Sequence, residues 1–170
     1  NGVNQYVRIP NSIFLNPKFI TLSLWIKLRS LPSSFAAIIQ KYNDNFDNDV
    51  TYQYIFSDTR DGTINGSIRI DKMTSRSITL PEKIRVNTWT HLALTFNGTE
   101  VIGYINGASS KSTPLDGILL KSDYDVSIGR GKNIKGRWID GLIDEVRIYS
   151  KPLSTSNIRR LYCDGGGCEN

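Results

Sequence analysis

Several residue types that carry enzyme chemistry are scarce here. The 170 residues include one histidine, His91, one methionine and two cysteines. A single histidine excludes a two-histidine metal site within the chain and leaves a Ser-His-Asp triad to depend on His91 alone. His91 lies in the middle of a strand-like stretch, with neither a nucleophile nor an orienting acid beside it in sequence. It therefore reads as a structural histidine bonded to a neighbouring strand. No apolar run approaches the roughly 20 residues that cross a bilayer as a helix, so direct membrane insertion is not expected. Basic residues do not cluster: the longest run is Arg159-Arg160, although the net charge is +5. A nucleic-acid surface gathers its charge on one face, so no nucleic-acid partner is expected.

Helical periodicity is also scarce. What fills the chain is strand alternation, with three Trp, eight Tyr and six Phe spread along it, enough to exclude disorder. Leu22, Leu24, Ile26 and Leu28 share one side of a strand whose other side carries Thr21, Ser23, Trp25 and Lys27. Leu92, Leu94 and Phe96 share a face opposite Trp89, His91 and Thr95. Further strands are predicted at 5–9, 35–41, 51–57, 67–71, 77–80, 100–105, 125–129 and 141–149. Asp61-Gly62, Asn65-Gly66, Asn97-Gly98 and Asn106-Gly107 are the dipeptides of tight hairpin turns. One short helix is expected near the end, capped by Ser154 or Ser156 and striped by Ile158, Leu161 and Tyr162. About ten short strands separated by turns predict an all-β sandwich of two sheets.

The cysteines stand together as Cys163-Asp164-Gly165-Gly166-Gly167-Cys168. A glycine-rich spacer of this length closes a small disulfide loop, which points to an oxidising compartment; two free thiols on a frayed tail are the alternative. The organisation expected is one module over 1–163 and a short tail over 164–170.

Three segments resemble a known family. They are NGVNQYVRIP at 1–10, NTWTHLALTFNGTEVIGYINGA at 87–108 and SIGRGKNIKGRWIDGLIDEVRIYSKPLSTSNIRRLY at 127–162. Together they are similar to the concanavalin A-like, laminin-G-like domains in their bacterial "laminin G 3" form. The resemblance implies a jelly-roll sandwich of two curved antiparallel sheets. It also implies binding rather than catalysis, in lectin-like or adhesion modules of extracellular bacterial surface proteins and pilus components. An anchoring or assembly segment preceding the module is then expected. A protein-binding or spacer module of the same fold, without a glycan site, is the alternative.

The resemblance further implies a structural calcium ion, held near the opening turn and the "IDE" aspartate. The corresponding positions are Asn1, Asn4 and Asp144. Both opening acids of the family pattern are Asn here, and Gln5 replaces another, so the ligand charge is lower.

Some concanavalin A-like folds are glucanases, and these place acids at alternate strand positions so that all face one cleft. Here Asp144 and Glu145 are adjacent and point to opposite faces of a regular strand, while Asp140 and Asp144 would lie about 13 Å apart. That pattern predicts no hydrolase.

Sugar recognition needs aromatic faces for ring stacking and polar side chains for hydroxyls. One candidate segment carries Lys41, Tyr42, Asn43, Asn48, Tyr52 and Tyr54. A second carries Arg130, Lys132, Asn133, Lys135, Arg137 and Trp138, and Arg60, Asp61 and Arg69 border them. Arginine forks and the basic balance favour an acidic glycan, such as a sialylated one, on host or neighbouring cells.

Overall fold

The computed structural model describes residues 4–42, 52–58, 60–131 and 137–168. Among these residues, eleven strands form two antiparallel sheets in a jelly-roll sandwich. The six-stranded sheet runs β1 (Val7–Ile9), β10 (Val126–Ile128), β3 (Ala36–Tyr42), β4 (Tyr52–Asp58), β5 (Thr63–Arg69) and β6 (Ser75–Lys83). The five-stranded sheet runs β11 (Gly141–Tyr149), β2 (Ile20–Leu28), β7 (Thr90–Phe96), β8 (Glu100–Ile105) and β9 (Ala108–Pro114). The helix α1 (Thr155–Tyr162) follows the last strand, and a 3-10 turn covers Ile13–Leu15.

The alternation seen in sequence builds the core. Leu22 pairs with Leu94 and Leu24 with Leu92, and all four are buried against Phe56, Ile68, Ile78 and Leu80 of the other sheet. Burying each such side chain stabilises the fold by about 1.5–3 kcal/mol relative to exposure.

Three details differ from the sequence reading. Asn65-Gly66, expected as a turn, lies inside β5. Gly66 is needed there because the sheets approach closely: a Cβ would sit 2.7 Å from Leu94 Cδ1. Strand β9 was not expected, since ASSKSTP has no apolar alternation. It is an exposed edge strand, placed by the Asn106-Gly107 turn that pairs it with β8. Residues 164–168, the described part of the expected 164–170 tail, are packed on the module. They continue α1 into a further turn, closed by the Cys163–Cys168 disulfide and packed on Trp25.

One irregularity sets the direction of two tyrosines. Lys41 pairs with Tyr54 and Tyr42 with Tyr52, so Gln53 is an extra residue in β4. Tyr54 and Lys41 point inward. The bulge restores the outward phase one residue early, and Tyr52 joins Tyr42 on the outer face.

Candidate functional site

Each sheet turns one face away from the core. That of the five-stranded sheet is covered. Ser154 caps α1 by accepting a hydrogen bond from the Asn157 backbone N–H (3.3 Å), and Ile158 packs on Ala93 and Tyr104. Tyr162 stacks on Trp25 with ring centroids 5.5 Å apart and lies 6.0 Å from the His91 ring. Beneath these rings His91 Nε2 and Ser23 Oγ share a hydrogen bond of 2.9 Å, and Nδ1 has no partner among the described residues. Burial, followed by the Arg147 charge, lowers the His91 pKa to about 4, so the ring is neutral at neutral pH. His91 is thus packed beneath the rings and hydrogen-bonded to the neighbouring strand.

Among the described residues, no helix covers the outer face of the six-stranded sheet. Gln40, Ile55, Ser67 and Ser77 lie side by side across β3 to β6 in direct register. Together with Phe35, Tyr42, Tyr52 and Arg137 they line a hollow of about 290 Å³. Its aromatic groups are two phenol rings and a phenyl ring. Its polar groups are an amide, two hydroxyls sharing a 2.8 Å hydrogen bond, and a guanidinium. The Arg69 guanidinium lies 4.7 Å from the Tyr52 ring centroid and is tied to the Lys72 carbonyl (2.9 Å). Arg137 lies 6.0 Å from the Phe35 ring. These cation–π contacts fix two positive charges beside flat apolar surfaces.

Among the described residues, the structure therefore gathers Tyr42, Tyr52, Arg69 and Arg137 from the sequence candidates and separates Lys41, Tyr54, Asp61 and Arg130 from them. Lys41 is fully buried and points inward. Its Nζ donates to Asn11 Oδ1, Asn16 Oδ1 and the Ser122 carbonyl, each at 2.9 Å. Desolvation lowers its pKa to about 8 against the pull of Asp123 and Asp125. Tyr54 is buried in the core, and burial raises its phenol pKa. Asp61 sits in the turn at the far end of β4 from Tyr52, paired with Lys83 at 2.5 Å. Arg130 is buried between Tyr6 (4.2 Å) and Trp138 (5.8 Å), a packed stack rather than a binding group. Asn43, Asn48, Lys132, Asn133 and Lys135 lie outside the described residues. Sequence reading missed Phe35, Gln40, Ile55, Ser67 and Ser77, because only inter-strand register brings them together.

A family model, the laminin G 3 model of the concanavalin A-like lectin/glucanases superfamily, matches residues 1–159. The chain belongs to this family.

Known structures similar to this laminin G 3 module include the Ruminococcus gnavus IT-sialidase CBM40, bound to α2,3-sialyllactose. That match has 14% identity and TM-score 0.74, covering 94% of this chain and 95% of that one. Domain 4 of AbnA, a GH43 extracellular arabinanase from Geobacillus stearothermophilus, in complex with arabinotriose, matches at 22% identity and TM-score 0.72. It covers 95% of this chain and 74% of that one. The binding domain of botulinum neurotoxin serotype G matches at 14% identity and TM-score 0.68, with 97% of this chain covered; the chain spans 46% of that domain. No curated protein matches the chain. At these identities the likeness establishes the fold, and these neighbours are binding modules.

Of the three positions that the family resemblance implies for calcium, Asn4 and Asp144 lie among the described residues. Asn4 lines a largely apolar groove with Tyr6, Ile128 and Ile143, whereas Asp144 faces a different hollow beside Trp25 and Trp89. Asn1 lies outside the described residues. Among the described residues no group of three or more His, Cys, Asp or Glu could hold a metal ion.

Asp144 and Glu145 also depart from expectation, since both line that second hollow. The pairing of β11 with β2 is interrupted between Asp144 and Arg147, and Glu145 takes a φ of 50°. The strand is not regular there, so adjacent carboxylates reach one side. Glu145 is held by an ion pair with Arg147.

Proposed function

We propose that this module is a non-enzymatic carbohydrate-binding domain, with the ligand lying across the outer face of the six-stranded sheet. The observation that carries the reading is the hollow in which Phe35, Tyr42 and Tyr52 surround Gln40, Ser67, Ser77 and Arg137. Flat rings suit the apolar faces of sugars, and the amide, hydroxyls and guanidinium suit their hydroxyl groups. The sialyllactose- and arabinotriose-bound neighbours support the same reading by analogy of fold.

Arg69 and Arg137, held at the aromatic rim, favour a glycan with a carboxylate, such as a sialylated or uronic one. The disulfide supports an extracellular setting, and adhesion of a bacterial surface protein or pilus component is the role that fits both. One observation favours the second reading, a protein-binding or spacer module. Ile13 and Phe14 are adjacent and 81% and 85% exposed on the 3-10 turn.

The test is a glycan array with the purified module and its Tyr52→Ala variant, in millimolar calcium and in EDTA. Selective binding of acidic glycans by the parent and loss in the variant is the expected result. Loss in EDTA would add a metal to the mechanism. A blank array from folded protein overturns the glycan reading in favour of a protein partner.

A further inference from the structure

A second hollow, of about 310 Å³, lies on the other side of the molecule at the margin of α1. Trp25, Trp89, Asp144, Glu145, Gly165 and Gly166 line it. It differs from the sheet-face hollow in charge, in construction and in origin, and we propose that it is a binding site for an organic ammonium group.

Its charge comes first. The chain has a net charge of +5, yet this hollow collects acids. Arg147 pairs with Glu145, and Arg160 lies 3.6 Å from Asp164 beside Gly165. Asp144 forms no ion pair among the described residues. One of its oxygens, Oδ1, accepts a hydrogen bond from the Glu145 backbone N–H (2.7 Å). One carboxylate charge is thus left over, next to an indole that is 39% exposed, Trp89, and the edge of another, Trp25. An aromatic face beside an uncompensated carboxylate attracts a cation that also carries methylene or methyl groups. The ring supplies cation–π attraction and the carboxylate supplies Coulomb attraction, while an anion is repelled by both. Carboxylate-bearing glycans, favoured by Arg69 and Arg137, are therefore disfavoured here.

Construction comes second. The two carboxylates reach one side only because Glu145 adopts positive φ at the strand irregularity. The opposite wall is the disulfide-closed turn, which sits directly on Trp25: a Cβ at Gly165 would lie 2.3 Å from Trp25 Nε1. Any other residue would push this wall away and open the hollow. Its volume suits a small head group.

Origin comes third. The family match ends at residue 159, and the Gly165-Gly166 wall lies beyond it. The hollow is therefore completed by a segment outside the matched domain. A lysine side chain of a polypeptide and a free alkylamine present the same chemistry, so the test carries both.

The three indole N–H resonances of the 15N-labelled module give the readout, with Trp138, which stacks with Arg130 and does not line the hollow, as internal control. The probes are tetramethylammonium, n-butylammonium, a short peptide with one lysine, and neutral n-pentanol. Saturable shifts of Trp25 and Trp89, a still Trp138, and binding about tenfold tighter for the cations than for n-pentanol are expected. A response to the peptide but not to the small cations would assign the source to a polypeptide; comparable responses would assign it to the free ammonium group. Asp144→Asn should erase the preference for cations over n-pentanol. Should that variant fail to fold, Trp89→Ala, at an exposed position, should weaken the cations by about tenfold instead. Equal binding of n-pentanol, shifts that do not saturate, or equal movement of Trp138 would overturn the proposal.

Discussion

The two outward faces of the sandwich began with similar material and ended differently. On the five-stranded sheet, Trp25, His91, Ala93 and Tyr104 are covered by Ile158 and Tyr162 of α1, and a titratable ring is sealed in neutral form. On the six-stranded sheet, no helix among the described residues covers Tyr42, Tyr52 and Phe35, and their cationic neighbours are Arg69 and Arg137. Aromatic residues therefore do not mark a binding face by themselves. What distinguishes the faces is whether the chain returns to bury them. Substitution on the covered face should cost stability, and substitution on the open face should cost affinity.

The largest break in this contrast is expected from Trp25→Ala. It removes the ring under Tyr162 and should cost about 3–5 kcal/mol in denaturant unfolding. Glycan binding of the remaining folded protein should be unchanged.

Acid should act on the same face. The His91 pKa is about 4 folded against an ordinary 6.5, so the unfolded chain binds the extra proton between those values. Stability from this group is complete above pH 6.5, falls as pH drops toward 4, and levels below; the loss is of order 3 kcal/mol. Unfolding midpoints at pH 7 and 4.5 for the parent and for His91→Gln check it, since the variant should lose that part of the slope.

Replacing both Cys163 and Cys168 by Ser should cost about 2 kcal/mol, as expected for a short loop. Thermal unfolding reads that loss, and the open face should again bind as before.

On that open face Tyr52→Ala should weaken glycan binding by about tenfold, through loss of ring stacking and of the Arg69 platform. The melting temperature should hardly move. Arg69→Lys should have the smallest effect, a loss of about threefold confined to acidic glycans, because a lysine keeps the charge without the planar fork. A glycan titration of both variants orders these two effects.

Much of the sandwich was legible because strand alternation is local. The inward sets at 22–28 and 92–96, the Ser154 cap and the Ile158 stripe are readable within a few residues. The site was only half legible. Tyr42, Tyr52, Arg69 and Arg137 had the right chemistry in the right segments, but Lys41 and Tyr54 have the same chemistry and point inward. Their direction depends on Gln53, an extra residue that composition cannot reveal. Arg130 read as a surface group because its partners Tyr6 and Trp138 are remote from each other in sequence. Gln40, Ser67 and Ser77 were invisible for the converse reason: each is ordinary alone, and only register aligns them. Asp144 and Glu145 were assigned to opposite faces by a rule for regular strands, which the positive φ at Glu145 suspends.

Lys41 holds one more consequence. Three oxygens from two separate stretches of chain, at Asn11 and Asn16 and at Ser122, converge on its ammonium at equal distance. A diffusible ion in such a cradle would be present only as often as its concentration allowed. This cation is on a leash: it is synthesised with the chain and arrives when β3 pairs. Dilution does not deplete it, and a chelator finds nothing to extract. The far ends of the 3-10 turn and of the segment leading to β10 are thereby pinned together by a counter-ion that the surroundings cannot withdraw.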